Sequence, residues 1–77
     1  MPYIRPEQRE RALRNPENAG ELNFAFTMLI KEYLGATPNY QRFNDILGAL
    51  EGAKLELYRR KIVPYEEEKI KTNGDVY

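Results

Sequence analysis

The residues best suited to chemistry in this chain are tyrosines and cations that recur at helical spacing between positions 40 and 65. Counting in steps of three and four places most of them along one side of a helix, and two arginines adjoin that line. A tyrosine ring can stack on a planar base, while lysine and arginine can hold phosphate groups. The sequence therefore predicts a ligand-binding face, whose candidate residues are Tyr40, Asn44, Lys54, Tyr58, Arg59, Arg60, Lys61 and Tyr65.

An ordinary structural explanation of the same residues stays open. Tyrosines often border a core with their hydroxyl groups in water, and Glu51 is correctly spaced to pair with Lys54. Glu56 can pair with Arg60 in the same way, near a helix end where cations are favoured. A ligand-binding face and a solvated helix edge both fit this pattern.

Catalysis is not indicated by the residue types. The chain has no histidine and no cysteine, so lysine, tyrosine and carboxylates are the remaining candidate acids, bases and nucleophiles. Their spacing matches no phosphate-binding glycine loop, nucleophile elbow or carboxylate metal motif. We therefore expect a binding protein, not an enzyme, with no metal site and no cofactor.

The elements that position these residues are predicted to be helical throughout. Pro6 and Glu7 suit a first helical turn, and a short helix from Pro6 to Arg14 follows. Helical periodicity predicts a second helix from Gly20 to Leu34, ended by Gly35.

The last helix is predicted to be the longest. Thr37 can cap its start with Pro38 at the first helical position, and the pattern continues to about Thr72, where Asn73 or Gly74 can end it. Pro64 removes a backbone donor, so the helix should bend or break there. One side carries an apolar seam, predicted to be core and made of Phe43, Ile46, Leu50, Ala53 and Leu57.

The predicted fold class is all-α. Packing of the seam against the second helix gives a small helical hairpin, with a short N-terminal helix and a long, Pro-kinked C-terminal helix. Residues 1–77 are expected to form a single domain, since a chain of this length has room for one at most.

Small size favours association with further copies. A domain of this length buries only about 60% of its unfolded surface, and without cysteine or histidine it lacks disulfide and typical zinc stabilisation. Two glycines one turn apart form a smooth stripe nearly opposite the seam, and the second helix is apolar on a second face. The predicted homo-oligomer interface comprises Phe24, Met28, Gly48, Gly52 and Leu55, although two tolerated glycines facing water are the alternative.

Net charge and hydropathy limit which partners and which cellular compartment we expect for this chain. Twelve basic and twelve acidic residues cancel, which disfavours binding to extended nucleic acid. No stretch is long and apolar enough for a membrane span or a signal core. We expect a soluble protein of the cytoplasm with no membrane partner.

Four segments carry a resemblance to a known family: "PYI", "GELNFAFTMLIKEYLG", "NDILGALEGAKLELYRR" and "PYEEEKIKTNGDVY". They resemble small phage and bacterial proteins classed as a domain of unknown function, of which "LEGAKLELYRR" and "NGDVY" are the more specific parts. The resemblance implies a phage accessory gene and no established activity.

A looser similarity, in size, setting and tyrosine-arginine chemistry, is to phage counter-defence sponges. It implies a homo-oligomer that sequesters a nucleotide-derived immune signal, cyclic or of the ADP-ribose type. The alternative is a non-enzymatic protein-interaction module that binds a host or phage protein.

Overall fold

The computed structural model describes residues 4–77 and is all-α. A π-helical turn at Tyr58–Ile62, called the π-turn below, joins the last two helices without a gap. The predicted all-α class and the long C-terminal helix, residues 40–73, are therefore confirmed. In chain order the helices are α1 (Pro6–Arg14), α2 (Ala19–Leu34), α3 (Tyr40–Leu57) and α4 (Val63–Asn73).

The described chain divides into two units. The first ends at Phe43 and contains α1, α2 and the first turn of α3. The second begins at Asn44 and contains the remainder of the long helix. The expectation of a single domain over residues 1–77 stays a prediction.

Helix ends follow local signals. Gly35 ends α2 with a φ of 70°, and Gly74 ends α4 with a φ of 88°. Both angles lie in the left-handed region, which glycine adopts without the steric cost of a Cβ atom. The predicted stops at these glycines are confirmed, and α1 has the predicted bounds.

The predicted start of α3 is wrong by two residues. The Asn39 side chain accepts a hydrogen bond from the Arg42 N–H at 2.9 Å, and the Asn39 carbonyl accepts from the Phe43 N–H at 3.1 Å. Asparagine is a stronger N-cap than threonine, so Thr37 and Pro38 stay in the preceding loop.

The core of the first unit lies where α1 packs on α2. Ala12 of α1 and Phe24 of α2 are buried, and the Arg9 guanidinium lies 5.8 Å from the centroid of the Phe24 ring. Helix α1 therefore covers part of the second apolar face of α2.

A buried carboxylate joins the two helices more specifically than this small core does. Glu21 is fully buried in the first turn of α2 and forms an ion pair with Arg11 of α1. The oxygen that pairs with Arg11 also lies 3.4 and 3.5 Å from the side-chain amides of Gln8 and Asn18. The other oxygen accepts the backbone N–H of Glu17 at 3.1 Å. These donors replace the water that a buried carboxylate loses.

The prediction that the seam of α3 is core is wrong for the single chain. No residue of α3 is buried, and Phe43, Leu50 and Leu57 are 46%, 40% and 55% exposed. Packing of this seam against the second helix as a hairpin stays a prediction.

Within residues 4–77, no helix is both long enough and apolar enough to cross a bilayer.

The ion pair of Glu21 yields a stability prediction. Replacing Glu21 with alanine leaves the Glu17 N–H without its acceptor and Arg11 with only its pair to the Glu17 carboxylate at 3.4 Å, so we expect a loss of about 2 kcal/mol in the stability of the first unit. Hydrogen exchange of the α1 amides measures it. The matched control is Glu10→Ala, which removes an exposed pair with Arg14 and should cost less than about 0.5 kcal/mol. Equal losses in the two variants would contradict a special role for Glu21.

Candidate functional site

The centre of the candidate surface is the π-turn just before Pro64. The Val63 N–H donates to the carbonyl of Tyr58, five residues earlier. In a regular α-helix the Pro64 ring would crowd the carbonyl of Arg60, and a wider turn relieves that contact. Dihedral angles stay helical at Leu57 (φ −58°, ψ −46°) and at Val63 (φ −59°, ψ −50°). The predicted disruption therefore takes the form of a wide turn, and the predicted break does not occur.

The π-turn changes which residues continue the apolar seam. In a turn closed by a hydrogen bond between residues five apart, Ile62 lies one turn after Leu57. In a regular α-helix, Lys61 would lie there instead. Tyr65 and Lys69 follow at steps of three and four, and the Lys69 ammonium lies 5.5 Å from the centroid of the Tyr65 ring. The seam thus continues through an apolar residue and a ring instead of ending at a cation.

Most of the cations predicted to bind phosphate have partners within the chain. Glu56 contacts Arg59 at 2.8 Å and Arg60 at 3.2 Å, and Glu51 contacts Lys54 at 3.8 Å. These are ion pairs of the kind that the ordinary structural explanation requires. A role for these cations in ligand binding stays a prediction.

Other charges on the same helix lack such partners. Within the described residues 4–77, Lys61 forms no ion pair, and neither do Glu66, Glu67 and Glu68. A cation and an acidic run are therefore left available on either side of Pro64.

The predicted stacking residues face solvent. Tyr40, Tyr58 and Tyr65 are 77%, 54% and 61% exposed, and Asn44 is exposed as well. They share one continuous helix, but none of the rings is enclosed by neighbouring side chains. A flat ligand would meet them as an open surface.

The glycines of the predicted oligomer interface have open surroundings. A Cβ atom built at Gly48 or Gly52 would meet no described atom within 4 Å, and Leu55 is exposed. No packing within the described chain therefore accounts for glycine at these two positions.

The other predicted interface residues lie in the first unit. Phe24 is buried and Met28 is half-buried, and both line an open groove of about 470 Å³ between α1 and α2. Their part in an interface between copies stays a prediction. The remaining groove residues are Arg9, Glu10, Leu13, Thr27 and Lys31.

Sequence reasoning missed two features that matter here. Glu21 follows the cap residue Asn18 by three positions, the spacing of a capping box, and that spacing was the available signal. Ile62 lies five residues after Leu57 and two before Pro64, but a proline alone does not specify a π-turn.

Comparison with known proteins identifies the family. The profile of a domain of unknown function, DUF6899, matches residues 1–76, and the chain belongs to this family. No curated protein and no solved structure matches the chain significantly. The predicted membership of a family of unknown function is confirmed.

The cause of the π-turn can be tested by substitution. Pro64→Ala restores the backbone donor and removes the ring, so residues 58–64 should return to regular α-helical bonding. The helix of the second unit should become more stable by about 1–3 kcal/mol. Nuclear Overhauser contacts between residues four apart, together with thermal unfolding, measure both effects. Val63→Ala keeps the proline and should keep the π-turn, whereas a π-turn that persists in Pro64→Ala would show that proline is not its cause.

Proposed function

We propose that this chain is a non-enzymatic protein-interaction module that presents the seam of α3 to another protein. The observation that carries the proposal is that α3 buries none of its residues while it holds a continuous apolar line. Anchors spaced by three and four along a helix are typical of an amphipathic helix that binds in a hydrophobic groove.

The energetics favour an occupied seam. Burial of one large apolar side chain contributes about 1.5–3 kcal/mol. Phe43, Leu50 and Leu57 are about half exposed, so a partner that covered them would gain part of that free energy at each residue. A groove that covers these three residues could supply the central contacts of a specific interface. The setting that the sequence resemblance implies makes a host or phage protein the proposed partner.

A homo-oligomer through the glycine stripe belongs to this proposal as a separate surface. Gly48 and Gly52 leave space into which a helix of a second copy can approach closely, with Leu55 beside them. Phe24 and Met28 would contribute from the groove of the first unit.

Sequestration of a nucleotide-derived signal is the second candidate function. It is favoured by the excess of positive charge before Pro64, where Arg59 and Arg60 share the carboxylate of Glu56 and Lys61 forms no ion pair within residues 4–77. The excess cation and the exposed ring of Tyr65 offer groups for a phosphate and a base.

Two arginine substitutions on opposite sides of α3 test the protein-interaction proposal. Leu50→Arg places a charge on the seam and should abolish a stoichiometric complex with the partner, because the charge cannot enter an apolar groove. Leu55→Arg is the matched control on the glycine side and should retain the complex. Tagged chains purified from the host and quantified by mass spectrometry give the stoichiometry.

The free energy of unfolding of the same variants tests whether the seam is part of a core. Because Leu50 is exposed, Leu50→Arg should change the free energy of unfolding by less than about 0.5 kcal/mol. A much larger loss would indicate that the seam is core after all, and would support the hairpin instead. A complex lost in Leu55→Arg and kept in Leu50→Arg would move the binding surface to the glycine stripe.

Calorimetric titration separates the two candidate functions. With cyclic dinucleotides and ADP-ribose, the interaction module predicts no binding at tens of micromolar ligand, whereas a sponge predicts micromolar affinity that Arg60→Ala weakens by about tenfold or more. Arg5→Ala, which removes an exposed cation of the first unit, is the control. Binding that survives Arg60→Ala unchanged would exclude the proposed phosphate contact.

A further inference from the structure

An exposed apolar line runs along α2, on the side opposite α1, and is called the α2 line below. Leu22, Phe26, Leu29 and Tyr33 follow at steps of four, three and four, and their exposed fractions range from 43% to 70%. Phe24, which lines the groove with α1, lies on the other side of the helix. Contiguous apolar surface outside a core is typical of an interaction site.

The seam of α3 has the same spacing over its part in the second unit. Ile46, Leu50, Ala53 and Leu57 also follow at steps of four, three and four. The pattern reads the same in both directions, so an antiparallel pair of helices can bring all four residues of each line into facing layers. The layers would pair Tyr33 with Ile46, Leu29 with Leu50, Phe26 with Ala53 and Leu22 with Leu57.

Side-chain size and the edges of the contact favour the antiparallel orientation. The largest ring in the middle of the α2 line, Phe26, faces the smallest seam residue, Ala53. Along one edge Ile30 lies beside Leu47, which is 66% exposed, so that leucine is also covered. No like charges meet across the edges, where the remaining neighbours are Asn23 with Lys54, Ala25 with Glu56 and Glu32 with Ala49.

A parallel pair would cover less apolar surface. In that orientation Leu47 would lie beside the polar Asn18 at the start of α2, and Phe26 would face Leu50. Antiparallel helices also place opposite ends of their dipoles together. Tyr33 remains accessible for its layer, since 46% of it is exposed although the Arg42 guanidinium lies 5.1 Å from the centroid of its ring.

The exposed area fits a dimer with two such contacts. A large side chain that is about half exposed offers on the order of 100 Å² of apolar surface, so the α2 line and the facing seam offer about 400 Å² each. One contact therefore buries about 800 Å², whereas two reciprocal contacts bury about 1,600 Å², the usual size of a stable interface. Each copy has one line and one seam, so reciprocal pairing closes the assembly.

We propose that the α2 line packs antiparallel on the α3 seam of a second copy, in a closed dimer with two such contacts. This inference rests on the proposed function, because it identifies what covers the seam before another protein binds there. Dimer formation and binding of that protein then compete for the same residues of α3. The glycine stripe lies on the other side of α3 and is not used.

Two complementary variants test which surfaces meet. Sedimentation equilibrium of the parent chain should give twice the 9.1 kDa mass, with a dissociation constant of about 10 µM or tighter. Leu29→Arg and Leu50→Arg should each be monomeric, because each places a charge in both contacts. Leu55→Arg, on the glycine side, is the control and should remain a dimer.

Mixing the two monomeric variants should restore one contact. The seam of Leu29→Arg and the α2 line of Leu50→Arg are both intact, so they should bind with a dissociation constant of about 1 mM or tighter. Nuclear magnetic resonance of labelled Leu29→Arg, titrated with unlabelled Leu50→Arg, should shift the amides of Leu47 and Ala53. Titration with unlabelled Leu29→Arg should shift neither. Pairing of α2 with α2, or of α3 with α3, predicts instead that one variant dimerises by itself.

Exchange of the large and small residues tests the register. Phe26→Ala leaves a gap and Ala53→Phe causes a clash, so each should weaken the dimer about tenfold or more. The double variant again places a ring opposite an alanine and should return the affinity to within about fivefold of the parent. No recovery in the double variant would exclude the antiparallel layers.

Three other results would overturn the dimer: a monomer at roughly 1 mM, as a hairpin within one chain predicts, no binding between Leu29→Arg and Leu50→Arg, or loss of the dimer in Leu55→Arg alone. Failure of the proposed function looks different. Leu29→Arg should abolish the dimer and keep the heterologous complex, whereas Leu50→Arg should abolish both. Unfolding of Leu50→Arg, measured below the dissociation constant of the dimer, reports on the single chain.

Discussion

The first unit depends on one buried ion pair more than on its apolar core. Glu21 is enclosed where α1 meets the start of α2, and Arg11 and the Glu17 N–H supply the hydrogen bonds that make its burial tolerable. The apolar contribution beside it is small, since Ala12 and Phe24 are the only buried apolar residues among residues 4–43. The position of α1 on α2 is therefore specified by directional polar contacts. Apolar area alone would allow several registers, but a carboxylate with fixed donors allows few.

The second unit has no comparable anchor. Within its described residues no side chain is buried, and the contacts along the helix are ion pairs between residues three or four apart, which contribute about 0.2–0.5 kcal/mol each. An isolated helix is only marginally stable, and a helix in a protein gains most of its stability from packing of its apolar face. The apolar line of Ile46, Leu50, Ala53 and Leu57 is such a face. Contact with a partner that covers this apolar face would therefore stabilise the helix.

Local signals in the sequence were sufficient for the helices and insufficient for their packing. Gly35 and Gly74 marked helix ends because a positive φ is a property of the residue itself. The start of α3 was misjudged between two candidate capping residues two positions apart, Thr37 and Asn39. Glu21 was not identified as buried, because an isolated charge usually predicts exposure. The seam was recognised, but its periodicity does not say what covers it, because the pattern is the same whether the cover belongs to the same chain or to another.

Pro64 explains both the π-turn and the course of the apolar line after Leu57. A proline in the middle of a long helix costs a hydrogen bond, and the π-turn offsets part of that cost by widening one turn. The extra residue in that turn moves Lys61 off the line that follows Leu57 and brings Ile62 onto it. Without the shift, the apolar line of α3 would end at a cation after Leu57. With the shift, Ile62 and Tyr65 follow Leu57 and Lys61 lies beside the line. The proline that costs the isolated helix a hydrogen bond is thus also what extends its apolar line beyond Leu57.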